Sequence, residues 1–290
     1  MANQVYQIVT DRVVALLERG VVPWRRPWVG ADVHPQNLVS RRPYRGINPF
    51  LLGCTGFASP FWLTFRQGKA LGGSVRKGEK ATPVIFWKRW RTERTDSETG
   101  DREAVEIPIL RYFNVFNVEQ CDGIDAPPLP KAHDFQPIKR CESVAEGMPN
   151  RPSIEHREAR ASYKPSTDTV NMPRPSMFIG PEPYYATLYH ELTHSTGHSS
   201  RLNRPGATEA VSFGSADYSR EELIAEMGAA FICGHCGIES ATIENSASYI
   251  AGWLRRLRGD HRLVVTAAAQ AQKAADYILG TTFDTGETDG

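Results

Sequence analysis

His190-Glu191-Leu192-Thr193-His194 is the stretch on which the reading of this chain turns. Residues i and i+4 lie on one face of an α-helix, a turn apart, so a helix here projects both imidazoles toward one point. Two imidazoles at that spacing can ligate one tetrahedral metal ion. The glutamate between them is placed to act on a water at that ion. Such an ion brings the pKa of its water to about 7 and polarises a carbonyl.

The pentapeptide alone can also be a polar helix face, so a third ligand decides the matter. The extended pattern H-E-x-x-H-x-x-G-x-x-H finds its glycine in Gly197 but meets Ser200 at the last histidine, and His198 comes two residues early. Downstream, Glu222-Leu223-Ile224-Ala225-Glu226 begins 28 residues after His194. Arg220, Glu221 and Glu222 also read as an ordinary charged helix start, and the residues by themselves leave Glu222 and Glu226 both open. The segment resembles the ligand helix of gluzincins. That resemblance implies Glu222 as the third ligand, with Glu226, a turn later, holding a ligand histidine by its second ring nitrogen. Zn2+ is the expected ion. Mn2+ or another divalent ion is the alternative, because a set of two histidines and one carboxylate discriminates weakly among first-row metals.

At 290 residues the chain can bury two cores. It contains no apolar run approaching the roughly 18 residues of a membrane span. Met1-Ala2-Asn3-Gln4-Val5-Tyr6 lacks the basic and apolar regions of a secretory signal. Five irregularly spaced cysteines do not make a disulfide framework, and a cytoplasmic location without membrane association is expected. Cys233-Gly234-His235-Cys236 closes an apolar helix and reads as buried thiols, not as half a zinc site.

The net charge of +1 conceals segregation. From Arg12 to Arg91 there are 15 Lys/Arg and three acids, a net +12, so the remainder sums to −11. Five of the six tryptophans lie in the first 90 residues, interleaved with these cations. Cations neutralise phosphates and flat rings stack on unpaired bases, a composition that suits single strands better than duplex. Tryptophans are also core residues, and at least half of these five are expected inside. The candidate contacts are Trp24, Arg25, Arg26, Arg41, Arg42, Tyr44, Arg45, Trp62, Arg76, Lys77, Lys80 and Arg89. The loop-like runs Arg41-Arg42-Pro43-Tyr44-Arg45-Gly46 and Arg76-Lys77-Gly78-Glu79-Lys80 are the stronger of these.

Apolar periodicity predicts a helix over 2–20. A short helix is expected over 60–67, and two antiparallel strands over 82–90 and 107–118 joined by a polar turn at 92–101. A short helix over 141–146 and a strand over 169–172 precede helices near 182–197, 219–233, 243–257 and 261–279. Pro-rich residues from Asp125 mark a linker. The expected fold is α+β in two domains, with boundaries at 1–125, a linker at 126–152 and 153–290; the charge asymmetry and the linker suggest units that fold independently.

The chain resembles the ArdC family of antirestriction proteins. In the first half the likeness runs through Arg42-Pro43-Tyr44-Arg45-Gly46-Ile47-Asn48, Trp62-Leu63-Thr64, Gly73-Ser74-Val75-Arg76-Lys77-Gly78-Glu79-Lys80 and Phe113-Asn114-Val115-Phe116-Asn117. In the second it runs through the histidine motif, residues 218–230 and Ser248-Tyr249-Ile250-Ala251-Gly252-Trp253-Leu254. The resemblance implies an N-terminal single-stranded-DNA-binding domain and a mainly helical, zincin-like (gluzincin) metallopeptidase domain. It also implies protection of incoming plasmid DNA from host restriction during conjugation, with a host restriction component as a candidate protein substrate. In the enzyme reading His190, His194 and Glu222 hold zinc and Glu191 is the general base. Two other readings stand beside it: a non-catalytic DNA-binding protein with a structural metal site, and a peptidase acting independently of DNA.

Overall fold

The computed structural model describes residues 2–25, 34–57, 59–95, 102–127, 137–178, 180–204, 216–238 and 247–281. Helix α1 (Ala2–Glu18) buries Val5, Val9, Val13 and Leu17, the i, i+4 stripe of an amphipathic helix. After it come β1 (Gln36–Asn37), α2 (Asn48–Gly53), β2 (Phe61–Thr64), α3 (Phe65–Ala70), β3 (Ser74–Val75), β4 (Thr82–Thr95), β5 (Arg102–Asn117) and β6 (Cys121–Asp122). The main sheet has the order β1-β2-β5-β4, with β1 parallel to β2 and the other pairs antiparallel. Strands β3 and β6 pair separately. The β4–β5 ladder runs unbroken from Thr82 opposite Val115 to Thr95 opposite Arg102. It is longer than the composition suggests, because ladder hydrogen bonds join backbones and do not require apolar side chains.

The helix expected over 60–67 is a strand followed by a helix. Phe61-Trp62-Leu63 includes two β-favouring aromatics, and Thr64, extended at ψ 159°, starts the helix instead. Its hydroxyl accepts from Gln67 N, and Gln67 Oε1 accepts from Thr64 N at 2.8 Å, a reciprocal cap.

The second half contains α4 (Pro137–Gly147), β7 (Ser153–Glu155), β8 (Ser162–Lys164), β9 (Thr169–Asn171), α5 (Pro181–Ser195), α6 (Ala216–Cys236), α7 (Ala247–Gly259) and α8 (Leu263–Ile278). Strand β9 lies between β7, its parallel neighbour, and antiparallel β8. Helix α6 is apolar around its girth. Leu223, Ile224, Ala225, Met227, Ala229 and Ala230 are all buried, because α5, α8 and the N-terminal half surround it.

The fold is α+β in two domains, but they do not stand apart as independently folded units. A single core contains Val9, Trp24, Phe50 and Ile85 from the first half and Leu192, Met227, Trp253 and Val264 from the second. Phe50 stacks on Phe231 with centroids 4.7 Å apart, and Trp24 meets Trp253 edge-on at 6.1 Å. The Trp24 indole N–H donates to Oε2 of Glu226 at 2.8 Å. Thr10 Oγ1 donates to His261 O at 2.7 Å. The charge asymmetry reported the chemistry of the surfaces. It carried no information about the apolar faces that join them.

The C-terminal end of α5 is clamped by Arg201, whose side chain is buried at 1% exposure. Its two terminal nitrogens donate to the Asp168 carboxylate at 2.9 and 2.7 Å, its Nε donates to Asn150 O at 2.8 Å, and Nη1 also donates to Ser195 O at 3.0 Å. The Arg201 hydrogen bonds hold the Asp168 carboxyl below the usual range, although burial opposes them. Asp168→Asn, which tolerates the left-handed φ of 48°, is expected to lower stability by about 2 kcal/mol at neutral pH. The folded pKa is depressed, so the stabilisation is complete above about pH 4 and disappears as pH falls through the lower folded value. Denaturant titrations of both proteins should converge in acid; a gap that persists or widens there would refute the assignment.

Candidate metal centre

Helices α5 and α6 meet at a glycine. A Cβ on Gly228 would lie 2.5 Å from Cγ2 and 2.8 Å from Oγ1 of Thr193, so only glycine allows this approach. Thr193 is fully buried, and its hydroxyl donates to Tyr189 O at 2.7 Å. Helix α5 begins with Pro181 after an extended Gly180, as Pro at a first helical position favours. Nine residues later its period brings His190 and His194 to the side facing α6.

The ring nitrogens Nε2 of His190 and His194 are 3.1 Å apart. Oε2 of Glu222 lies 3.6 Å from the first, and its Oε1 lies 3.6 Å from the second. Ligands about 2.0–2.1 Å from a tetrahedral ion are separated by roughly 3.3 Å. The donor set therefore fits a divalent cation, and among the described residues these three side chains alone form such a group. Glu191, between the histidines, is 8% exposed.

Glu221 is the carboxylate that sequence reasoning missed. Its Oε1 lies 3.5 Å from Nδ1 of His194. Arg204, 5% exposed, completes the arrangement. The guanidinium pairs with both oxygens of Glu221, with Nε donating to Oε2 at 3.2 Å, and its Nη2 donates to Thr193 O at 3.0 Å. Arg204 thus ties the backbone of α5 to the carboxylate on α6 that orients His194. Burial alone would raise the Glu221 carboxyl, but His194 and Arg204 outweigh it and bring it to about 2. Burial would likewise depress His194, yet Glu221, Glu191 and Glu222 hold the ion-free imidazole up at about 8. The Arg220-Glu221-Glu222 run gave no sign of this, because Arg204 lies on a different segment and its fork becomes visible only in three dimensions. Glu226, expected to hold a ligand histidine, instead receives the Trp24 indole through Oε2.

The candidate DNA contacts divide sharply. Trp24, Trp62 and Tyr44 are 1%, 2% and 5% exposed and cannot offer a ring face to a base; the apolar demand of the core has taken them. Arg45 pairs with Asp276 of α8, and the adjacent Gly46 N donates to Gln272 Oε1 at 3.2 Å, so this part of the Arg-Pro-Tyr-Arg-Gly run is a tertiary clamp. Arg76 pairs with Glu79 at 2.9 Å and Asp122 at 3.7 Å. Arg41, Arg42, Lys77 and Lys80 are exposed. Arg26 lies outside the described residues, as do the side chains of Arg25 and Arg89. Cys233 and Cys236 are buried and form no disulfide among the described residues, and Tyr189 Oη lies 3.3 Å from Cys236 Sγ.

Two family models match the chain: the N-terminal domain of anti-restriction factor ArdC over residues 3–116, and a zincin-like metallopeptidase over 147–270. The Mn(II)-bound crystal structure of the antirestriction ArdC protein from the R388 plasmid matches with a TM-score of 0.73 at 38% identity, across 95% of this chain and 97% of that one. The chain belongs to the ArdC antirestriction family. The metal-free structure of the same R388 protein gives a TM-score of 0.72 at 39% identity, covering 94% and 96%. The uncharacterized protein y4eC of Sinorhizobium fredii is 36% identical over 287 residues, 95% of this chain and 92% of its own length. DNA primase TraC of Escherichia coli is 35% identical over 294 residues, but this chain spans only 27% of the primase. Among the described residues no helix is long and apolar enough to cross a membrane.

Metal analysis of the purified chain is expected to find one ion per molecule, lost in Glu222→Ala and kept in Glu226→Gln. Glu221→Gln should weaken affinity about ten- to a hundredfold in a chelator competition; loss of the ion in Glu226→Gln with retention in Glu222→Ala would reverse the assignment.

Gly228→Ala is expected to lower both the melting temperature and metal affinity by forcing α6 away from α5. Adding Thr193→Ala removes the clashing atoms, so the double variant should be more stable than the sum of the singles predicts. Strict additivity would mean that the helices do not depend on this contact.

Proposed function

We propose that this chain is a plasmid-type antirestriction protein that binds single-stranded DNA and protects incoming DNA during conjugation. On the same reading it carries a zinc-dependent peptidase site and acts in the cytoplasm. The observation that carries the peptidase part is the convergence of His190, His194 and Glu222 beside the buried Glu191, with Arg204 and Glu221 bracing His194. Structural zinc sites usually close with four protein ligands, whereas three leave a position for water or substrate. The R388 ArdC protein has a Mn(II)-bound structure, which supports a divalent ion as the partner of this donor set.

His190, His194 and Glu222 would hold the ion, which when bound polarises a carbonyl and makes water acidic. Glu191 takes the proton from the attacking water on a carboxylate oxygen and returns it to the leaving amine nitrogen. Glu221 keeps the proton of His194 on Nδ1, leaving Nε2 free to ligate. The substrate is a protein, for which a host restriction component is the candidate. A second reading keeps the ion as a brace only. It is favoured by the core that runs from α1 to α8 through the site helices, where a bound ion would stabilise both domains.

Conjugation into a restricting host separates the two. Glu191→Ala is expected to abolish peptide hydrolysis while metal content and single-strand affinity stay at wild-type levels, because Glu191 is not a ligand. Loss of protection in that folded, metal-loaded variant assigns the peptidase to the mechanism. Full protection would leave DNA binding as the protective activity and the ion as a brace.

A further inference from the structure

With Trp24 and Trp62 buried, the ring on which a base could stack must be sought elsewhere. Phe65, the first residue of α3, is 47% exposed. It opens a short helix whose other exposed side chains include Arg66 and Lys69, and Lys69 Nζ lies 5.3 Å from the Phe65 ring centroid. Beside α3, the turn after β1 presents Val39, Arg41 and Arg42, all exposed. Arg41 sits in the left-handed region at φ 59° with its guanidinium 5.2 Å from the Phe61 centroid.

Two amides fasten the turn to the helix. Asn37 Nδ2 donates to Gln67 Oε1 at 3.1 Å, and Gln67 Nε2 donates back to Asn37 Oδ1 at 3.3 Å. Asn37 Oδ1 also accepts the backbone N–H of Val39 at 3.1 Å and of Ser40 at 3.0 Å. Gln67 at the same time closes the Thr64 cap that starts the helix. The turn and the helix that carry the ring and the cations are therefore held together before any ligand arrives.

The charge here is unopposed. Residues 33–78 contain seven Lys/Arg and no Asp or Glu. Arg45 and Arg76 of these are engaged by acids from outside the segment, whereas Arg41, Arg42, Arg66 and Lys69 make no ion pair among the described residues. A surface of exposed cations around one open aromatic ring complements a strand that offers phosphates and an unstacked base together. Duplex DNA offers the phosphates but keeps its bases stacked.

We propose that this surface is the single-stranded-DNA track of the protein, with Phe65 as the ring that stacks on a base and Arg41, Arg42, Arg66 and Lys69 as the phosphate contacts. The proposal rests on the reading that the chain binds single strands.

Fluorescence anisotropy with a labelled oligothymidylate on the full chain tests it. Phe65→Ala is expected to weaken binding about tenfold, and Phe65→Trp to restore it. Arg66→Ala with Lys69→Ala should flatten the log–log salt slope by about 1.4, at about 0.7 per phosphate. Phe65 is on the surface, so an unchanged melting temperature will confirm that the variants are folded. Phe113→Ala, which removes an exposed ring of β5 (40% exposed), serves as the comparison. Wild-type affinity in Phe65→Ala, whether or not Phe113→Ala weakens binding, overturns the track and leaves the single-strand reading standing. A wild-type chain that does not bind the oligonucleotide overturns both. An unchanged salt slope in the double variant removes the phosphate role and points the patch toward a protein.

Discussion

The approach of α6 to α5 at Gly228 is the contact on which the site depends. Glu222 lies on α6 and the histidines on α5, so the three ligand atoms converge only if the helix axes come close. Thr193 lies between the two histidines in sequence and occupies the space that a side chain at position 228 would need. The same approach brings Glu221 to His194, and Arg204 then bonds to both helices at once. Removing the glycine would therefore disturb the ligand set and its bracing together, although residue 228 supplies no ligand atom.

A second set of contacts on α6 explains why the two domains share a core. One turn beyond Glu222, Glu226 receives the Trp24 indole, and further along Phe231 stacks on Phe50. The helix that carries Glu222 is thus held by the histidine helix and by the N-terminal domain together. A buried carboxylate beside a buried tryptophan is costly unless hydrogen-bonded. The Trp24–Glu226 bond meets that requirement for both partners. Arg45 with Asp276, and Thr10 with His261, repeat the pattern of polar ties across an apolar seam.

The candidate metal centre and the exposed cations of the first half therefore belong to one continuous body. Substitutions in the seam would affect both through stability, whereas Glu191 and Phe65 lie outside it in role. The shared core also makes an isolated N-terminal fragment a poor mimic of the intact protein, since it would expose Trp24, Phe50 and the apolar stripe of α1.

The sequence by itself determined the helix carrying His190 and His194, the presence of a second acidic helix, the α+β character and most helix positions, because each rests on local period and composition. It also placed the cations in the first 90 residues. The tertiary structure alone decided which acid faces which partner. Glu221, Glu222 and Glu226 lie close together in the chain, and helical period cannot say which neighbour each will face. Arg204 and Trp24, on other segments, settle the positions of two of them. Burial likewise decided among the aromatics. Trp24, Trp62 and Phe65 are all large and flat and all lie near arginines in the sequence, yet the first two fill the interior and Phe65 starts a capped helix at the surface. Which ring is left outside depends on how the sheets and helices pack, and that is a non-local quantity.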